Sequence, residues 1–179
     1  MTRKILPGLG ILCGSLFPLS LPAGSNSVTV QFEASLYNRT CKVSVPSLIE
    51  YGNVQAATVV QNDAGTTDSL NRDIVLTLTE CSGTGTLANS HVVVSGPVVT
   101  VREHSLFKES GSAQGVGIKL LSDGEARTNG DVVWLLNGQN NTNDTHTLTA
   151  ALSCGGCTAA GDIMPGDIRA VMTFTVMTY

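Results

Sequence analysis

"DIRAVMTFTVMTY", residues 167–179, closes the sequence. Its even-numbered positions Ile168, Ala170, Met172, Phe174 and Val176 are all apolar, and Arg169, Val171, Thr173, Thr175 and Met177 between them are mixed or polar. A β-strand points successive side chains to opposite faces, so this period of two predicts a strand with one face in a core. After Tyr179 the sequence supplies no turn and no further strand to lie beside this one. The open question is what covers its other side.

The same period appears near the other end. "NSVTVQFEASLYNRTC", residues 26–41, places Val28, Val30, Phe32, Ala34 and Leu36 on one face and Thr29, Gln31, Glu33, Ser35 and Tyr37 on the other. One reading makes these two stretches the first and last strands of an ordinary sandwich. The other makes the N-terminal stretch a detachable strand that completes a neighbour, since strand addition uses main-chain ladders for affinity and alternate side chains to fill pockets.

Residues 1–25 precede that arm and read as a cleaved secretory signal. Arg3 and Lys4 form a positive n-region, the apolar run from Ile5 to Leu21 follows, and Ala23-Gly24-Ser25 supplies small residues for the peptidase. Pro7, Gly8, Gly10, Gly14 and Pro18 interrupt the run, which argues against a membrane span. Cys13 follows Leu12 rather than the small residue that lipoprotein processing requires. The expected mature chain is 154 of the 179 residues, enough for one domain with a real core. Without Arg3 and Lys4 its formal charge falls from −4 to −6, and an acidic chain lacking a basic cluster is a poor nucleic-acid binder.

Charged residues are sparse while Thr, Val, Ser, Asn and Gly are plentiful, a composition that favours an all-β protein. "RDIVLTLTEC", residues 72–81, is the clearest strand, with Ile74, Leu76 and Leu78 on one side and Val75, Thr77 and Thr79 on the other. Parts of "SLIEYGNVQAATVV" (47–60) alternate, and "HVVVSGPVVTV" (91–101), "GVGIKLL" (115–121), "DVVWLLNG" (131–138) and "HTLTAALSC" (146–154) add further strands. Loops are expected at 82–90, 121–130 and 137–145, which are rich in Gly, Asn, Ser and Asp. No convincing amphipathic helix is present, and only "SLFKESGSA" (105–113) offers one helical turn. About eight short strands with turn signals between them read as a β-sandwich. Without Cys13, the four cysteines Cys41, Cys81, Cys154 and Cys157 admit three disulfide connectivities in an exported protein.

Taken in order, these features resemble a fimbrial (pilin) subunit of the bacterial chaperone–usher pathway. The resemblance spans nearly the whole mature chain. It rests on the signal, the alternating arm, Cys41 placed 15 residues after Asn26, "VQAATVV", "IVLTLTEC" with Cys81, "GVGIKLLSDG", and the alternating last strand introduced by "PGDI". It implies an incomplete immunoglobulin-like sandwich lacking its last strand and completed by a donor strand. The implied domains are the signal at 1–25, a donor-strand arm at 26–40 and a pilin domain at 41–179. Val28, Val30, Phe32, Ala34 and Leu36 would be donor side chains, and Ile168, Ala170, Met172, Phe174 and Val176 would line the acceptor groove. Tyr179 would anchor a periplasmic chaperone, and Cys41 and Cys81 match the family's disulfide.

The implied partners are that chaperone, an outer-membrane usher and neighbouring subunits, and the implied destination is a fimbria on the cell surface used in adhesion. Three departures stand out. Ala34 occupies a position where the family commonly has glycine, Tyr179 is last rather than next to last, and the Cys154–Cys157 pair is extra. The last two tilt the expectation towards a minor subunit. The alternative from another class is a carbohydrate-binding adhesin on the same sandwich, but a chain that begins with an arm leaves no room for a lectin domain.

Nothing in the sequence supports an enzyme or a cofactor. In "SCGGC" a redox helix is not predicted after the motif, and a zinc site would need two more ligands where only His146 is near, so a local disulfide between Cys154 and Cys157 is expected. His91, His104 and His146 are widely spaced, and no GxSxG motif accompanies them. Gly115-Val116-Gly117 lacks the rest of a dinucleotide loop, Glu103 and Glu109 fit no motif, and Trp134 reads as core rather than as a sugar platform. The sequons at Asn38, Asn140 and Asn143 carry little meaning in a bacterial exported protein.

Overall fold

The clearest strand of the sequence is the centre of the structure. The computed structural model describes residues 39–178. In chain order its elements are β1 (Arg39–Ser44), helix α1 (Ala56–Asp63), β2 (Asn71–Gly83), β3 (His91–Ser95), β4 (Val98–Val101), β5 (His104–Phe107), β6 (Gly117–Ser122), β7 (Glu125–Arg127), β8 (Val132–Leu135), β9 (Thr145–Ser153), a 3₁₀ turn (Ala160–Asp162) and β10 (Thr173–Met177). One sheet runs β1-β2-β9-β6-β5-β4, with β7 added to β6, and the other runs β10-β3-β8. Every recorded strand pairing is antiparallel.

Ile74, Leu76 and Leu78 of β2 are buried, as their alternation requires, and meet Leu120 and Leu148 of the same sheet and Val92, Val94 and Val133 of the facing one. Phe107 and Trp134 complete this core. A sandwich buries one face of each sheet, and the two inward faces here belong to strands that alternate cleanly. No helix among the described residues is long and apolar enough to cross a membrane.

Four sequence expectations are corrected. The stretch 47–60, read as partly strand, contains α1 instead. Its Ala56, Val59 and Val60 recur at helical spacing and pack on the core, so tertiary burial overrides the β preference of valine. Gly65, at φ +69 and donating to the Asn62 carbonyl, ends the helix with the left-handed residue that glycine accepts most easily. No helical turn forms in 105–113: Leu106 and Phe107 are both buried in β5, and Ser110 bridges to Arg169.

The expected loop 121–130 holds the β6–β7 hairpin. Asp123 and Gly124 at its tip both have positive φ, the Asp-Gly signature of a tight hairpin turn. Finally, 91–101 is two strands in different sheets, β3 and β4, separated by Gly96-Pro97. A Cβ on Gly96 would overlap the Val171 carbonyl, so glycine is what lets the last segment pass so close.

The donor-arm residues Val28, Val30, Phe32, Ala34 and Leu36, the signal 1–25 and Tyr179 lie outside the described residues.

Candidate functional site

The chain's last segment keeps the alternation that opened the reading. Ile168, Ala170, Met172, Phe174 and Val176 are half-buried against the core, and Arg169, Val171, Thr173, Thr175 and Met177 are exposed. Its ladder is shorter than its pattern. Residues 173–177 form β10 on β3, from Thr173 opposite Ser95 to Met177 opposite His91. Upstream, the segment touches the other sheet's side of the molecule: Ser110 N–H donates to the Arg169 carbonyl at 3.1 Å, and Arg169 N–H returns a bond to the Ser110 carbonyl at 3.0 Å. The segment therefore crosses from one sheet to the other, and no single ladder holds its whole length.

Among the described residues β10 pairs with β3 alone, and β1 pairs with β2 alone. The two bare edges border one cleft. Cys41, Lys42 and Val43 of β1 and Phe174, Thr175 and Val176 of β10 line it, with a volume of about 330 Å³. Two strand edges that the described residues leave unpaired, flanking half-covered apolar side chains, form a surface that can accept an added strand, by backbone hydrogen bonds at the rim and side-chain burial at the floor.

The β1 wall is held firmly. Cys41 and Cys81 form a disulfide across β1 and β2, closing a 40-residue separation, which contributes roughly 4 kcal/mol in the chain-entropy account. Beside it Lys42 Nζ meets Glu80 Oε2 at 2.5 Å, but both side chains are mostly exposed and such a pair adds little. Cys154 and Cys157 form the second disulfide, so the four cysteines pair as the family resemblance and the local spacing implied.

A second concavity, about 400 Å³, lies beside β8 and is lined by Ser122, Asp123, Arg127, Trp134, Leu135 and His146 among others. It brings a serine, a histidine and an aspartate together without making a catalytic triad. Ser122 Oγ and Asp123 Oδ2 lie 3.1 and 3.9 Å from the same ring nitrogen, Nε2 of His146, whereas a triad needs them on opposite nitrogens. Ser122 is buried and its Oγ donates to the Val133 carbonyl at 2.6 Å. Trp134 is a core residue stacked on His146, with centroids 5.4 Å apart, and presents no open platform.

His91, His104 and His146 stand on three different strands, and the described residues hold no group of three potential metal ligands. Glu109 pairs with Arg169 at 3.2 Å, and Glu103 sits beyond β4 at positive φ, where the chain turns into β5. Gly115-Val116-Gly117 leads into β6, which is followed by β7 rather than by the helix of a dinucleotide loop, and Gly115 packs against the Asp162 carbonyl of the 3₁₀ turn. Sequence reasoning passed over Asp63, a buried carboxylate at the end of α1, because a lone aspartate just past the stretch 47–60 gives no sign of its setting.

Residues 28–178 match the protein family described as Fimbrial protein. The chain belongs to that family. Among solved structures, the fimbrial chain is similar to the P pilus rod subunit PapA, at 16% identity and a TM-score of 0.52, with 84% of this chain and all of that one covered. It is also similar to a chain in the structure of a chaperone–usher pilus concerned with rod uncoiling, at 14% identity and a TM-score of 0.48, covering 89% of this chain and 99% of that one. No curated protein matches it. The resemblance to fimbrial subunits read from the sequence is thus borne out, and so is the immunoglobulin-like sandwich. The family is one of structural pilins, not of enzymes.

Proposed function

We propose that this fimbrial subunit polymerises by donor-strand exchange, with the cleft between β1 and β10 as its acceptor groove. The observation that carries the reading is the one-sided pairing of β10 among the described residues, with its apolar face half-buried opposite an edge of β1 that the described residues also leave bare. Ile168, Ala170, Met172, Phe174 and Val176 form the acceptor face. Val28, Val30, Phe32, Ala34 and Leu36 of the next subunit supply the incoming strand, which fits because their spacing matches the pleat.

Four large apolar side chains entering such a groove contribute an upper estimate of roughly 6–12 kcal/mol, comparable with the whole stability of a domain. A subunit lacking any donor should therefore be marginal and prone to edge-to-edge aggregation. A periplasmic chaperone covers the groove first, with Tyr179 at its anchoring end, and the exchange takes place at an outer-membrane usher. In this reading the chain loses residues 1–25 on export, uses as its arm the stretch expected at 26–40 short of its last two residues, Arg39 and Thr40, which belong to β1, and ends in a surface fimbria that mediates adhesion, as a minor subunit.

Deletion of residues 27–36 tests the donor role. The truncated subunit should still bind the chaperone and still accept a neighbour's strand, yet fail to dock into the next subunit. Fibres containing it at internal positions would refute the assignment.

A further inference from the structure

The four residues that follow β9 do more than turn the chain. Gly155 and Gly156 have φ of +64° and +76°, the left-handed region that glycine enters without strain. A side chain at Gly155 would also overlap the Val101 carbonyl. Consecutive amides in such a turn point into one concavity and suit an anion. Here the anion belongs to the same chain. Cys154 N–H and Gly156 N–H both donate to Asp63 Oδ2, at 2.7 and 3.0 Å, and Lys119 Nζ stands 3.5 Å from Oδ1. The Asp63 side chain is only 2% exposed, and Asp63 is the last residue of α1. Cys154 and Cys157, which close the ring, are buried as well.

We infer that the Cys154–Cys157 disulfide is an oxidation-dependent latch for helix α1. Closing it turns two thiols into one S–S bond, releases two protons and passes two electrons to a protein or small-molecule disulfide, which leaves as two thiols. The closed ring fixes the Gly-Gly turn, the turn presents both amides to Asp63, and the carboxylate seats the helix end against β9. Opened, the glycine-rich turn regains its conformational freedom and the amides cease to converge. Asp63 is then a buried charge that has lost both backbone donors and keeps only Lys119 and the Ser153 hydroxyl, a costly state that the helix end relieves by moving out. The device is local. Its cysteines are three residues apart, whereas Cys41–Cys81 spans 40 and bears on the fold as a whole.

Hydrogen exchange of the amides in 56–64, on the exported chain in the chaperone-bound form recovered from periplasm, tests the latch. Changing Cys154→Ser and Cys157→Ser together keeps both glycines and should speed that exchange about tenfold or more, with the centre of β2 little changed. Exchange within about twofold of the parent would overturn the latch. Asp63→Asn keeps the disulfide and should loosen α1 by a similar factor. It should also let dithiothreitol reduce Cys154–Cys157 about tenfold faster, since the two halves of a coupled pair stabilise each other reciprocally. Combining Asp63→Asn with the serine pair should loosen α1 no further than either change alone, and fully additive effects would mean that the ring and the carboxylate act independently. If the serine pair gives no folded protein, the reduction rate of Asp63→Asn decides by itself, an unchanged rate counting against the latch.

Discussion

Strands β2 and β10 carry nearly the same sequence pattern and hold opposite positions. In β2, Ile74, Leu76 and Leu78 alternate with Val75, Thr77 and Thr79; in the last segment, Met172, Phe174 and Val176 alternate with Thr173, Thr175 and Met177. β2 has β1 on one side and β9 on the other, and Leu76 and Leu78 are fully buried. β10 has β3 alone among the described residues, and Phe174 and Val176 are only half-buried. Alternation reports that a strand has one apolar face. It does not report how many neighbours the strand has, because ladder partners are set by the backbone, which every residue offers equally. The difference between the strands is a difference in what covers them, and that is the property a polymerising subunit can use.

The largest expected effect lies on the closed side of the comparison. Leu76→Ala removes a fully buried side chain from a strand paired on both edges, and should cost about 2–5 kcal/mol. Denaturant midpoints should fall by the same amount whether or not a donor peptide is present, because β2 is complete in either state. A loss that vanishes when donor is added would place Leu76 in the groove and dissolve the contrast.

On the open side the dependence should reverse. Phe174→Ala trims a half-buried ring at the cleft, so the subunit alone should lose little, while affinity for a peptide of residues 27–36 should fall by about 1.5–3 kcal/mol, roughly 10- to 150-fold. Titration calorimetry on the parent and the variant measures this directly. Equal losses with and without peptide would make Phe174 an ordinary core residue.

Much of this architecture was legible, and the reasons it was not fully so are particular. Ile74, Leu76 and Leu78 share one side of the strand in the sequence, as a period of two on a long strand requires, and that side is the buried one. The five positions from Ile168 to Val176 were also placed on one face, yet the pattern could not show that 168–172 leaves the ladder, since Arg169 bonds to Ser110 through main-chain atoms alone. Helix α1 was missed because Ala56, Val59 and Val60 satisfy a helical and an extended reading equally over so short a stretch. The β6–β7 hairpin was missed although Asp123-Gly124 announces it, since β7 has only three residues, too few to alternate visibly. The β3–β4 break was hidden by valines on both sides of Gly96-Pro97, residues equally at home in either sheet.

A smaller effect is expected away from both strands, and it has a definite sign. Burial pushes the Asp63 carboxyl up, but hydrogen bonds from Gly156 N–H, the Ser153 hydroxyl and Cys154 N–H, with the Lys119 charge, outweigh it and hold the pKa below the ordinary 3.8. A carboxylate favoured in the folded state stabilises the fold fully at pH values above its unfolded pKa, and that contribution is lost as pH falls through the folded one. Acid titration of stability should therefore show a component below about pH 4 that Asp63→Asn removes. Thermal midpoints of both proteins across pH 2–6 measure it, and identical acid profiles would show that Asp63 gains nothing from its setting.

The smallest effect should sit at the groove itself, on its polar rim. Lys42 and Glu80 meet at 2.5 Å beside the Cys41–Cys81 bridge, but their side chains are 70% and 67% exposed, so water screens the pair and two long side chains must be ordered to form it. Lys42→Ala should change stability by less than about 0.5 kcal/mol, although Lys42 lines the same cleft as Phe174. It should also leave peptide affinity within about threefold, because an added strand would bond to the β1 backbone, which alanine keeps intact. A loss comparable with that of Phe174→Ala would mean that charge rather than apolar burial governs entry to the cleft. The open edge would then select its partner by electrostatics, and the contrast with β2 would concern charge instead of cover.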